Sequence, residues 1–136
     1  MSDFFVFDTN SLISAALLPN SVSRKALDKA INAGKLAVSG STYEELIEVL
    51  FRPKFDKYFF NDNERWVILY KIEVNSTLFI PDIFITDCRD PKDNKFLELA
   101  ISANASCIIT GDKDLLILRP FRGIPILNAV DFINDF

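Results

Sequence analysis

One pattern governs what this chain can fold into: short, unbroken apolar runs that stop at a polar residue and give way to stretches of helical periodicity. The first run, Phe4-Phe5-Val6-Phe7, ends at Asp8. It is continuous rather than alternating, as in a strand covered on both faces. Lys35 to Ser39, Leu78-Phe79-Ile80, Ser106 to Thr110 and Ile124 to Leu127 read as further strands, the first three followed by Gly40, Pro81 and Gly111. Between them lie helical segments. Ser11 to Leu18 follows a cap at Thr9 or Asn10, and Ser23 to Ala33 is stopped by Gly34. Another helix starts behind Ser41, with Glu44 where a capping-box glutamate belongs, and carries Tyr43, Leu46, Ile47 and Leu50 on its apolar face. Asn61 to Val74 is amphipathic. Asp90-Pro91 opens a helix to about Ala103, with Asp at the cap and Pro at the first helical position. Asp114 to Leu118 reads as a turn of helix and Val130 to Phe136 as a closing one. Strands alternating with helices imply a parallel sheet covered on both faces. The expectation is an α/β chain, a three-layer α/β/α fold around a parallel sheet of four to five strands, in one domain over residues 1–136.

Composition narrows the chemistry. Hydrophobic residues are 49% and charged residues 25% of the 136, enough for a real core. Thirteen Phe predict several in that core and one exposed cluster. The net charge of −4 argues against a passive nucleic-acid clamp, which should be basic. It permits a phosphodiesterase whose own carboxylates are cancelled by bound cations. The count of zero histidines excludes more than any other feature. Ser-His-Asp and Cys-His nucleophiles, His-Glu-x-x-His metalloproteases and histidine-ligated zinc deaminases all fall away. Cys88 and Cys107 form no zinc-type pair, and Cys107 reads as a buried small hydrophobe. With no disulfide suggested, the simplest compartment is a reducing cytoplasm. No apolar run approaches membrane-spanning length, and Asp3 and Asp8 do not suit a signal peptide.

The acids recur in related places. Asp8 follows the first strand; Glu44, Glu45 and Glu48 lie in the helix after the second; Asp90 and Asp93 open the helix after the third; Asp112 and Asp114 follow the fourth. Each alone has an ordinary reading, as an Asx turn, a helix cap, a dipole partner or a solvated glutamate. Jointly they map to the carboxyl edge of one parallel sheet, where sites form. Carboxylates gathered there repel one another unless a hard divalent cation sits among them, and Mg²⁺ takes oxygen ligands.

At these residues the sequence resembles the PIN-domain family of metal-dependent nucleases. The likeness runs from Phe4 to about Val130. Phe5-Val6-Phe7-Asp8-Thr9-Asn10 matches the family's strand ending in Asp-Thr-Asn. Glu45-Leu46-Ile47-Glu48-Val49-Leu50-Phe51-Arg52-Pro53-Lys54-Phe55 resembles a pattern from a bacterial subgroup described as toxin components of toxin–antitoxin modules. Asp90-Pro91-Lys92-Asp93-Asn94-Lys95-Phe96-Leu97-Glu98-Leu99-Ala100 and Ile109-Thr110-Gly111-Asp112-Lys113-Asp114-Leu115-Leu116 match two later motifs.

The resemblance implies a PIN-like fold with Asp8 as central metal ligand, Glu45 as the helix carboxylate (Glu44 and Glu48 as substitutes), Asp93 as third acid and Asp112 as fourth, with Asp114 sharing or replacing it. Asn10 and Thr110 would be supporting polar groups. It also implies hydrolysis of single-stranded RNA with one or two Mg²⁺ or Mn²⁺ ions, leaving a 5′-phosphate and a 3′-hydroxyl. An antitoxin protein that blocks the metal site and a homodimer are the implied partners, with no membrane. From the residues themselves, Arg52, Lys54 and Lys57 among Phe55, Tyr58, Phe59 and Phe60 suit backbone tracking and base stacking. Two other classes compete. A non-catalytic RNA- or protein-binding module on the same fold predicts no metal-stimulated cleavage. An aspartyl phosphatase would use Asp8 as nucleophile, but usually needs a second Asp where this chain has Asn10.

Overall fold

The run that ends at Asp8 becomes the central strand of the molecule. A computed structural model describes residues 3–136. Strand β1 (Asp3–Phe7) lies between β2 (Gly34–Val38) and β4 (Cys107–Ile109), with β3 (Ser76–Leu78) outside β2 and β5 (Ile126–Leu127) outside β4. All four pairings are parallel, with Phe5 opposite both Leu36 and Cys107, and Phe7 opposite Ile109. A parallel sheet needs crossovers, and helices supply them: α1 (Thr9–Leu17), α2 (Val22–Ala33), α3 (Gly40–Leu50), α4 (Asp62–Val74), α5 (Asn94–Ala103), α6 (Lys113–Leu116) and α7 (Ala129–Asp135).

Alternation along each strand divides the core in two. Phe5, Phe7, Leu36, Cys107 and Ile109 face one side, against Leu12, Ala26, Leu46, Leu50, Leu69 and Phe132 of the helical layer there. Val6, Ala37, Ile108 and Ile126 face the other, against Phe96, Leu97, Leu99, Ala100 and Leu115. This is the three-layer α/β/α arrangement with a five-stranded parallel sheet. Phe5, Phe96 and Phe132 are fully buried, each worth roughly 1.5–3 kcal/mol relative to exposure. Phe60 and Phe84 are strongly exposed, in separate segments. Gly34 begins β2 because of space alone: a Cβ there would stand 2.1 Å from the Asp3 carbonyl oxygen.

Several boundaries differ from the sequence reading. Helix α1 is capped by Asp8, not by Thr9 or Asn10, and α2, α6 and α7 each begin one residue earlier than read. Helix α3 is capped by Ser39, not Ser41. The Ser39 hydroxyl accepts from the Thr42 N–H (3.3 Å), and the Ser39 N–H donates to the Thr42 hydroxyl (2.9 Å). Thr42 thus fills the capping-box position expected of Glu44, and Glu44 is exposed. Strand β3 is paired two residues earlier than Leu78–Ile80, because its register follows β2, with Thr77 opposite Ala37. Asp90 does cap the segment at Pro91, accepting from the Lys92 N–H (3.1 Å), but Pro91–Asp93 form a 3₁₀ turn and α5 starts only at Asn94.

A charge also lies inside the structure. Arg65 of α4 is 4% exposed, a burial that its helical pattern did not announce. It donates to the Leu50 carbonyl (2.8 Å), Asp56 (2.7 Å) and Asp62 (3.1 Å), and its guanidinium lies 4.4 Å from the Phe59 ring centre. The 3₁₀ turn Pro53–Tyr58 is thereby fastened to the end of α3 and the start of α4.

Candidate active site

Four strand ends and helix starts open onto one cleft of about 830 Å³ at the carboxyl edge of the sheet. Asp8, Glu45, Asp93 and Asp112 all line it, as do Asn10, Glu44, Glu48, Arg52, Asp90, Lys92 and Lys95. The acids arrive there by local rules. Asp8 sits one residue past β1, its N–H still bonded to the Ile109 carbonyl (3.3 Å), and caps α1 by accepting from the Ser11 N–H (2.9 Å) through Oδ1. Its Oδ2 accepts from the Thr110 hydroxyl. Thr110 in turn accepts from the Asp112 N–H (2.9 Å), so one fully buried hydroxyl fixes two acids from two strands. Asp112 caps α6 by accepting from the Asp114 N–H (2.8 Å).

Asp93 is placed differently. It stands at the N-cap of α5, yet its side chain makes no capping bond. Its Oδ2 is buried and has no hydrogen-bond partner. Burial first, then the Asp112 carboxylate within hydrogen-bonding reach, then the charges of Asp112, Asp90 and Asp8 push its carboxyl up to about 7. Burial also raises Asp8 above the ordinary carboxylate range, against the pull of its Ser11 and Thr110 hydrogen bonds, and Asp112 adds to the rise. Both shifts mark negative charge held in a site that water does not fully solvate.

Among the described residues no three acidic or cysteine side chains are already closed around an ion position. The donors nevertheless fit a hard divalent cation. They are carboxylate oxygens, they come from three elements into one cleft, and one buried oxygen on Asp93 lacks a partner that a cation would supply. Glu45 is less free. Its Oε1 accepts from the Thr9 hydroxyl and its Oε2 from the Lys95 ammonium.

A family model described as PIN domain matches residues 5–114. This chain belongs to the PIN-domain family. Over 119 residues it is 39% identical to an uncharacterized protein of Methanocaldococcus jannaschii, MJ1680, covering 84% of this chain and 74% of that relative. Among solved structures it is similar to a chain of VapBC2 from Rickettsia felis bound to a DNA fragment from their promoter. There the TM-score is 0.62 at 12% identity, over 92% of this chain and 98% of that one. At that identity the likeness is one of fold.

Within this PIN domain the other candidate residues divide. Asn10 is exposed at the cleft and also borders an adjoining cavity of about 330 Å³ lined by Ser11, Ser14 and Ser23. Arg52 reaches the cleft paired with Glu48 (2.9 Å). Lys54 does not line it; its ammonium lies 5.1 Å from the Phe55 ring centre. Asp114 is likewise outside the cleft lining, its backbone serving Asp112. Thr9, Lys92 and Lys95 were missed. Lys95 gave no sequence signal, because its partner Glu45 lies 50 residues away and α5 starts later than Asp90-Pro91 suggests. Cys88 and Cys107 are both free and buried. Among the described residues no helix is long and apolar enough to cross a membrane.

Proposed function

We propose that this PIN domain is a divalent-cation-dependent endoribonuclease acting on single-stranded RNA, and that it is the toxin of a type II toxin–antitoxin module in the cytoplasm. The observation that carries the reading is the buried, unpartnered Asp93 oxygen beside Asp8 and Asp112. A fold does not maintain such a group for stability, since an unpaired buried acceptor costs on the order of 1–3 kcal/mol.

Asp8, Asp93 and Asp112 are the residues that would hold Mg²⁺ or Mn²⁺. When bound, the cation supplies Lewis acidity to the phosphodiester and lowers the pKa of water in the cleft. The chain supplies the rest. Thr110 locks Asp8 and Asp112 in place, so the donors need little rearrangement. Asp114 shares a helix start with Asp112 and has a positioning role. Asn10 and Arg52, which border the cleft, would contact the RNA backbone. Lys92 and Lys95 add positive charge to a chain that is acidic as a whole.

The toxin role draws on the VapBC2 likeness and on apolar surface suited to a protein partner. Ala16, Leu17, Tyr58, Phe59, Val67 and Ile68 border a groove of about 310 Å³ between α1, the 3₁₀ turn and α4, and Trp66 and Tyr70 are exposed on α4. An antitoxin or a second copy of the chain would cover this ground. The direct test of activity is a labelled single-stranded RNA incubated with Mg²⁺, Mn²⁺ or EDTA. Wild type should cut it with metal and not with EDTA. Asp8→Asn, which keeps the helix cap, should cut at least ~10³-fold more slowly, about 4 kcal/mol of barrier. Undiminished cleavage by Asp8→Asn would refute the assignment, and no cleavage by wild type would favour a non-catalytic binding module.

A further inference from the structure

We infer that Lys95 is a tethered cation occupying the place a second divalent ion would take, so that the cleft receives one metal ion on Asp8, Asp93 and Asp112 while Lys95, held by Glu45, binds a non-bridging phosphate oxygen of the RNA. The inference rests on the nuclease reading and specifies how the cleft divides its positive charge.

Both oxygens of Glu45 are engaged. Thr9, the first residue of α1, donates to one; Lys95, in the first turn of α5, donates to the other. Glu45 itself belongs to α3, so three separate elements meet in this contact, across 36 and 50 residues of sequence. Each member of the Glu45–Lys95 pair is 22% exposed, which separates it from the loose surface pair of Arg24 and Asp28, at 41% and 59%. Surface pairs of that kind contribute little. The first turn of a helix is an unfavourable place for an ammonium, so Lys95 is held where it is by Glu45 rather than by its own helix.

A metal ion approaches a carboxylate oxygen to about 2.0–2.1 Å. An ammonium bonded to that same oxygen would set two cations side by side, and the ammonium cannot leave without unpairing Glu45. The cleft therefore has an aspartate half fitted for one ion and a neutral Glu45–Lys95 half that carries its own cation. Glu45 uses one donor of the ammonium, and Lys95 has three. The remaining donors suit an anionic phosphate oxygen, in a charge-assisted hydrogen bond.

The test counts Mn²⁺ bound to metal-stripped full-length protein, by electron paramagnetic resonance of free Mn²⁺, and separately measures KM and kcat on a labelled single-stranded RNA. Wild type should bind one Mn²⁺ per chain. Lys95→Met keeps the aliphatic stem and frees Glu45; it should bind a second Mn²⁺, and its KM for RNA should rise roughly tenfold, more than its kcat falls. Lys95→Arg, which keeps the charge, should restore one ion and most of the KM. Lys95→Gln serves as the second neutral variant if the Met variant does not fold. Two ions bound to wild type, a neutral variant that still binds one, or an unchanged KM would each overturn the inference while leaving the nuclease reading intact. Wild type that binds no Mn²⁺ and cuts no RNA would overturn both.

Discussion

Arg65 and Asp93 are both charged groups drawn away from solvent, and the molecule treats them in opposite ways. Arg65 is completely provided for by the chain: a carbonyl, two carboxylates and the faces of Phe51 and Phe59 surround it. Asp93 has a buried oxygen with no partner, and its nearest charges have its own sign. The first is what a charge looks like when it serves the fold. The second is what a charge looks like when its counter-ion comes from outside.

Arg65→Met should destabilise the protein by about 1–3 kcal/mol, because the Leu50 carbonyl loses its donor and the 3₁₀ turn comes loose, while Asp56 and Asp62 are exposed enough to be solvated. Denaturant unfolding followed by circular dichroism measures it; a loss well under 1 kcal/mol would mean that the node is ornamental to stability.

Asp93→Asn should act in the other direction on the metal-free protein. The folded state holds the Asp93 proton up to about 7, whereas an ordinary aspartate releases it near 3.8. Between those values the folded state binds more protons than the unfolded chain, so metal-free stability falls as pH rises through that window. Asn at 93 removes that fall. In thermal melts at pH 5 and pH 8 with EDTA, wild type should lose more stability than the variant, and Mg²⁺ should recover it at pH 8 in wild type only. Identical pH profiles would show that Asp93 is not crowded by its neighbours.

The smallest effect is expected at Lys54. It lies over Phe55 and outside the cleft, so Lys54→Ala should change RNA cleavage less than about threefold, the scale of one weak surface contact. A tenfold loss would extend the RNA path beyond Arg52 and the cleft.

Much of this was legible in the sequence, for a physical reason. A strand buried on both faces must be continuously apolar, so Phe4–Phe7 and Cys107–Ile109 announce themselves. The acids are visible because they stand where those strands stop. What the sequence hid depends on partners far along the chain. Ser39 and Ser41 are equally able caps, and only the burial of Ser39 and Thr42 decides between them. Asp90 and Pro91 promise a helix start, but the 3₁₀ turn behind them delays α5, and that delay is what leaves the Asp93 carboxylate uncommitted. Arg65 reads as one more polar residue of an amphipathic helix until Phe51, Asp56 and Phe59 close over it. Lys95 looks like a solvated lysine until Glu45, 50 residues earlier, is brought beside it.

Crystals grown with Mn²⁺ and measured at an energy where manganese scatters anomalously would show whether Asp8, Asp93 and Asp112 share a divalent cation. The expected result is an anomalous peak within coordination distance of carboxylate oxygens from all three aspartates. A well-ordered cleft with no peak there, at millimolar Mn²⁺ and a pH above 7, would contradict it.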